Sequence, residues 1–245
     1  MYKLELEQLK KSIYDKLHEL RSRELKVDKK KDKSYVTEFD LFISDEVKTI
    51  FLKRHPDFNF YSEEDPESFD FPAVVLDPLD GTREYVMGYG ECAVSLAILH
   101  SPRVDDSKNF GWIYNPFSGF EIDNTLHVPV EQRENLPETT HIMISRSEWE
   151  KNLLPVDEDR NLRITPMGSI AYKLGLLAAG ACDVVISMRP KNIWDIAAGV
   201  LICHARGILS TSEGEVITEL NKKRFNDVFI FGKHREIERA KSLVK

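Results

Sequence analysis

The sequence predicts an α/β protein in two lobes, an α+β half followed by an α/β half. Up to about residue 122, two amphipathic helical stretches precede several short apolar, β-rich segments. From about residue 140, strand-like and helix-like segments alternate, the pattern of a sheet covered by helices. The segment 128–138 between them is polar and proline-bearing, so the lobes are expected at 1–128 and 129–245.

Each element has its own reason. Leu6, Leu9, Ile13, Leu17 and Leu20 recur at three- and four-residue steps, which predicts a helix over 4–24. The basic stretch 21–33 reads as a solvated loop, or as positive charge placed near an anionic substrate. A second helix is predicted over 40–53, burying Ile43, Val47, Ile50 and Phe51 and stopped by His55-Pro56. Strands are predicted at 73–77, 91–99 and 110–115, the first ending where Pro78 has no N–H to give. The turn residues 115–119 suggest a hairpin into 120–122, so this half reads as two helices on an antiparallel sheet. Beyond the boundary come strands at 141–145, 182–187 and 207–210 and helices at 168–179, 194–205 and 233–244.

Composition removes several function classes. The chain has 245 residues, 42% of them hydrophobic, but no apolar run of about 18 residues that would span a membrane. Its first residues lack the apolar core of a signal peptide. Cys92, Cys182 and Cys203 show no paired spacing and read as buried thiols of a reducing compartment, so a cytoplasmic protein is expected, monomeric or homodimeric. A net charge of −7 argues against binding nucleic-acid polymers or anionic membranes. The histidines have no zinc-ligand spacing.

The chemistry concentrates in FPAVVLDPLDGT, residues 71–82. An apolar strand ends on Asp77, and the turn brings Asp80 beside it, so two hard oxygen ligands face one point, which suits Mg²⁺. Gly81 and Thr82 then offer backbone N–H groups for an anion. The plain alternative is an ordinary Asp-Pro turn. Two other segments favour the first reading: the acidic Tyr61-Ser62-Glu63-Glu64-Asp65, and Ile193-Trp194-Asp195-Ile196-Ala197-Ala198-Gly199, where an acid opens an apolar helix.

With these three segments and Val36-Thr37-Glu38-Phe39-Asp40, the chain resembles the inositol monophosphatase family of Mg²⁺-dependent, lithium-sensitive phosphatases over about residues 30–210. The resemblance implies a layered α/β/α/β/α sandwich with the active site between lobes. It implies two or three Mg²⁺ ions held by Glu63, Asp77, the carbonyl of Leu79, Asp80 and Asp195. It also implies that Thr82, hydrogen-bonded to Asp40, takes a proton from the attacking water, with Glu63 touching the same water. No phosphoenzyme is expected. A small phosphorylated substrate would meet Gly81, Thr82 and Asp195.

A narrower resemblance points to bacterial 3′(2′),5′-bisphosphate nucleotidases. It rests on Gly168-Ser169 with Lys173, on Ser145-Arg146-Ser147 and on Arg83-Glu84-Tyr85. It implies that Gly168, Ser169 and Lys173 line the substrate side, although a Gly-Ser before a helix is also an ordinary cap. Arg189 and Lys191 stand close enough to Asp195 in sequence to meet a second phosphate, or are simply solvated. One of Lys29, Lys30 and Lys31 would match a family loop lysine. Two departures bear on the leaving group: Ile193 stands where many nucleotidase relatives carry an acid, and DNTLHVPVEQRENLP replaces a glycine-rich loop. Inositol phosphate and fructose 1,6-bisphosphate are the alternative substrates.

Overall fold

Helix α1 (Lys3–Arg21) buries Leu6, Leu9, Ile13, Leu17 and Leu20, as the spacing predicts. In the computed structural model, residues 2–22, 26–29, 35–125, 139–153, 161–226 and 228–241 are described. Strands β1 (Val27–Lys29) and β2 (Tyr35–Thr37) pair antiparallel where a loop was expected. All three β1 side chains are exposed, so no apolar pattern marked the strand. Helix α2 (Glu38–Val47) follows, capped by Thr37, and continues as a π-helical turn, Lys48–Leu52.

Next come β3 (Asn59–Ser62), β4 (Ala73–Asp80), the short helix α3 (Thr82–Val86), β5 (Ala93–Leu99), β6 (Phe110–Tyr114) and β7 (Glu121–Asp123). The five strands form one sheet in this order. It is mixed rather than antiparallel, because the unforeseen β3 runs parallel to β4. Strand β4 also does not stop at Asp77. It passes through Pro78 by a register shift against β5 between Asp77 and Asp80, a bulge in which the missing N–H costs no ladder bond.

The second half comprises β8 (Thr140–Ser145), α4 (Arg146–Trp149), β9 (Leu162–Met167), α5 (Ile170–Ala178), β10 (Val184–Ser187), β11 (Lys191–Asn192) and α6 (Ile193–Ala205). After it come β12 (Leu209–Ser212), β13 (Glu215–Val216), β14 (Arg224–Phe225), β15 (Phe229–Gly232) and α7 (His234–Lys241). A six-stranded sheet has the order β13-β12-β15-β10-β8-β9, with β10, β8 and β9 parallel. Strands β11 and β14 form a separate ribbon.

Alternation along the strands assigns the layers. Val74 and Leu76 of β4 face α1 and α2, while Ala73 and Val75 face the other way, into a core shared with α5 and α6. Val185 and Phe231 close that middle core from the second sheet, and Val184, Ile186 and Ile142 turn outward to meet Ile237 and Ala240 of α7. This is the expected α/β/α/β/α stack. Close approach in its middle depends on glycine: a Cβ on Gly111 of β6 would lie 2.7 Å from the carbonyl oxygen of Ala198 in α6. The expected lobe boundary at 128–138 and the loop 126–137 lie outside the described residues, as do Lys30 and Lys31. Cys92, Cys182 and Cys203 are buried free thiols. No described helix is long and apolar enough to cross a membrane.

Candidate active site

The end of β4 carries most of the site, because its bulge turns Asp77 and Asp80 to the same side. Helix α6 adds Asp195 from its first turn. Carboxylate oxygens of Asp77, Asp80 and Asp195 lie within 4.8 Å of one another. Glu63, just beyond β3, lines the same cavity of about 390 Å³ together with Leu79, Gly81 and Thr82. All five sequence-expected metal ligands therefore open on one space.

Each acid is held in place. Asp77 accepts from the N–H of Leu79 at 3.0 Å. Asp80 accepts from the Ser169 hydroxyl at 2.7 Å and the Ala171 N–H at 2.6 Å. Asp195 closes a capping box with Asn192, whose N–H donates at 2.7 Å. Asp40 is set by a similar box: Thr37 donates to it from N–H at 2.8 Å and from its hydroxyl, and the Thr82 hydroxyl donates at 2.9 Å. The Thr82–Asp40 pair expected from the resemblance is thus formed. The carbonyl of Leu79 also lies 2.9 Å from that hydroxyl.

So much negative charge in one place is strained. Burial pushes the Asp77 carboxyl well above the usual range, and the Glu63, Asp80 and Asp195 charges push it further. Burial, then Asp80, raises Asp195 to about 7. Burial also raises Asp40, against the hydrogen bonds from Thr37 and Thr82. Hard oxygen ligands clustered in this way are the donor set that Mg²⁺ takes, and a divalent ion would relieve the repulsion. The residues present fit the metal.

The substrate side differs from expectation at Lys173. Its Nζ is buried and donates to the carbonyls of Met167, Gly168 and Ser169, each at 3.0 Å. An ammonium has three N–H bonds, and all are used, so Lys173 has none for a phosphate. It braces the turn from which Ser169 reaches Asp80, and burial lowers its pKa to about 8. Arg146 is likewise committed, to both oxygens of Glu91 at 2.6 and 2.5 Å, and Glu91 also accepts from the Gly168 N–H at 2.8 Å. Glu91 was missed because a single acid beside a glycine carries no pattern. Arg83, Glu84, Ser145, Ser147, Gly168, Ser169 and Lys191 all line the cavity, and Arg189 is not among its lining residues. Tyr35, which also lines it, had no sequence signal; the Lys29 ammonium lies 5.7 Å from its ring centre.

Comparison with known proteins decides the family. The family model described as "Inositol monophosphatase family" matches residues 2–240. The chain belongs to the inositol monophosphatase family. It is accordingly a metal-dependent phosphoric monoester hydrolase. Among curated relatives, the fructose-1,6-bisphosphatase/inositol-1-monophosphatase of Thermotoga maritima is 27% identical over 205 residues, 78% of this chain and 76% of that one. The 3′(2′),5′-bisphosphate nucleotidase CysQ of Escherichia coli K12 is also 27% identical, over 73% of this chain and 76% of its own. A solved inositol monophosphatase/NADP phosphatase complexed with Mg²⁺ and phosphate shares the fold, with a TM-score of 0.75 at 19% identity, over 98% of this chain and 93% of that one.

Proposed function

We propose that the protein is a Mg²⁺-dependent 3′(2′),5′-bisphosphate nucleotidase that hydrolyses 3′-phosphoadenosine 5′-phosphate. The observation that carries the reaction is the convergence of Asp77, Asp80 and Asp195 within 4.8 Å beside the Thr82–Asp40 hydrogen bond. Glu63, Asp77, Asp80, Asp195 and the Leu79 carbonyl would hold the metal. Bound Mg²⁺, in two or three copies, would polarise the phosphoryl oxygens, acidify the attacking water and stabilise the leaving oxygen.

The chain's own groups do the rest. Asp40 takes the hydrogen bond of the Thr82 hydroxyl, which leaves the Thr82 oxygen its lone pairs to accept from the attacking water. Burial raises the Asp40 carboxyl, so a proton passed through Thr82 finds a stronger base than an exposed carboxylate. Glu63, which lines the same cavity, orients the same water. No side chain needs to carry the phosphoryl group, and attack is in line.

The nucleotide assignment is supported by three segments that line the one cavity: Arg83 with Glu84, Ser145 with Ser147, and Gly168 with Ser169. The name of the Escherichia coli relative agrees with it. The Thermotoga relative's name keeps inositol phosphate and fructose 1,6-bisphosphate as second readings. The test is kcat/KM on all three with saturating Mg²⁺. Preference for the nucleotide supports the proposal, and a preference of about tenfold or more for inositol phosphate overturns it. Ca²⁺ in place of Mg²⁺ is expected to give little turnover, since its looser coordination does not hold an in-line geometry, and Li⁺ is expected to inhibit at about millimolar concentration.

A further inference from the structure

Among the described residues, three cations line the cavity, and they are unequally engaged: Arg83, Lys173 and Lys191. Arg83 is paired with Glu150 at 3.4 Å, and Lys173 gives all three N–H bonds to carbonyls. Lys191 is half-buried, and its Nζ makes no hydrogen bond or ion pair with any described residue. A partly desolvated ammonium with no hydrogen-bond or ion-pair partner among the described residues keeps its N–H donors for a ligand.

Its position fits one kind of ligand. The charge of Lys191 bears on both Asp195 and Lys173, yet among the described residues its Nζ forms no ion pair with the carboxylates of the cluster. It lines the same cavity as the acids without pairing with them. The backbone there is fixed. Lys191 pairs with Phe225 and Asn192 with Arg224 across the β11–β14 ribbon, and the Ile193 N–H donates to the Lys223 carbonyl at 2.9 Å.

We propose that Lys191 determines specificity by binding a second anionic group of the substrate, a phosphate carried on the leaving-group side. This deepens the nucleotidase reading and rests on it only for the identity of that leaving group. The test compares wild type, Lys191→Gln and Lys191→Arg with saturating Mg²⁺ on two substrate pairs. One is a nucleoside 3′,5′-bisphosphate against the nucleoside 3′-monophosphate, the other fructose 1,6-bisphosphate against fructose 1-phosphate. In the pair that wild type favours, Lys191→Gln is expected to lower the bisphosphate-to-monophosphate ratio of kcat/KM about tenfold, mainly through KM, and Lys191→Arg to keep most of it. Should the Gln variant fold poorly, Lys191→Ser gives the same reading. A ratio that stays constant, whether both activities fall or neither does, overturns the proposal. Preference for the fructose pair with a Lys191-dependent ratio would sink the nucleotidase reading and leave this one standing. Preference for the nucleotide pair with a constant ratio would do the reverse. If wild type discriminates in neither pair, the proposal also falls.

Discussion

Asp77 bears the site's heaviest electrostatic load, buried among four other acids, Glu63, Asp80, Asp195 and Asp40, that all raise its pKa. Asp77→Asn is therefore expected to act in opposite directions on activity and on metal-free stability. Turnover should fall by at least about a hundredfold, since a metal-neutralising charge is lost. Metal-free stability at neutral pH should rise, because each unit of pKa elevation that disappears is worth about 1.4 kcal/mol. Phosphate release and a thermal melt in EDTA check both; a destabilised EDTA form would count against the electrostatic account. The same load sets a pH dependence. Asp195 ionises near 7 in the folded chain against an ordinary value of 3.8. Between these values the folded chain keeps a proton that the unfolded chain has released, so metal-free stability falls as pH rises through that window. Mg²⁺ should cancel this slope by favouring the ionised carboxylates. Melting midpoints across the window, with EDTA and with Mg²⁺, measure it, and parallel curves would disprove it.

Among the elements, the turn between β9 and α5 matters most, because it links a structural lysine to a candidate metal ligand. Ser169 sits at φ 49°, a left-handed conformation that a serine adopts only under constraint, and Lys173 supplies the constraint through three carbonyls. Lys173→Met should cost roughly 2–5 kcal/mol, since several buried acceptors lose their donor together. It should also raise the Mg²⁺ concentration needed for half-maximal activation, because Ser169 and Ala171 no longer hold Asp80 squarely. Ser169→Ala removes one Asp80 contact and a helix cap, for about 0.5–2 kcal/mol. Urea unfolding and Mg²⁺ titration separate the two effects. A Lys173→Met variant with weaker kcat but an unaltered Mg²⁺ requirement would return this lysine to the substrate.

At the scale of the whole molecule, α6 ties the layers to the chemistry. It packs in the shared middle core, approaches β6 closely at Gly111, and presents Asp195 from its first turn. Gly111→Ala would press a methyl group to 2.7 Å from the Ala198 carbonyl oxygen, so α6 must shift. The expected cost is roughly 1–3 kcal/mol by denaturant unfolding, with weaker Mg²⁺ activation although the substitution lies outside the site. Full activation at wild-type Mg²⁺ levels would show that α6 does not need this approach.

The sequence by itself determined the parts whose signal is local. Apolar spacing gave α1 and α2, and the strand-helix alternation gave β8, β10 and β12 of the second sheet. The family resemblance carried by short motifs implied Glu63, Asp77, Asp80, Asp195 and the Thr82–Asp40 pair, and the structure brings the four acids to one cavity and forms the Thr82–Asp40 hydrogen bond. Strands β1, β3, β9 and β15 escaped, being short or without clean alternation, so that pairing across the sheet rather than propensity makes them strands. The tertiary structure alone decided how each cation is used. Lys173, Arg146 and Lys191 are equally charged in the sequence. Which amine is spent on carbonyls, which guanidinium on Glu91, and which ammonium is left facing the cavity depends on burial and on partners up to dozens of residues away, and neither leaves a trace in the local pattern.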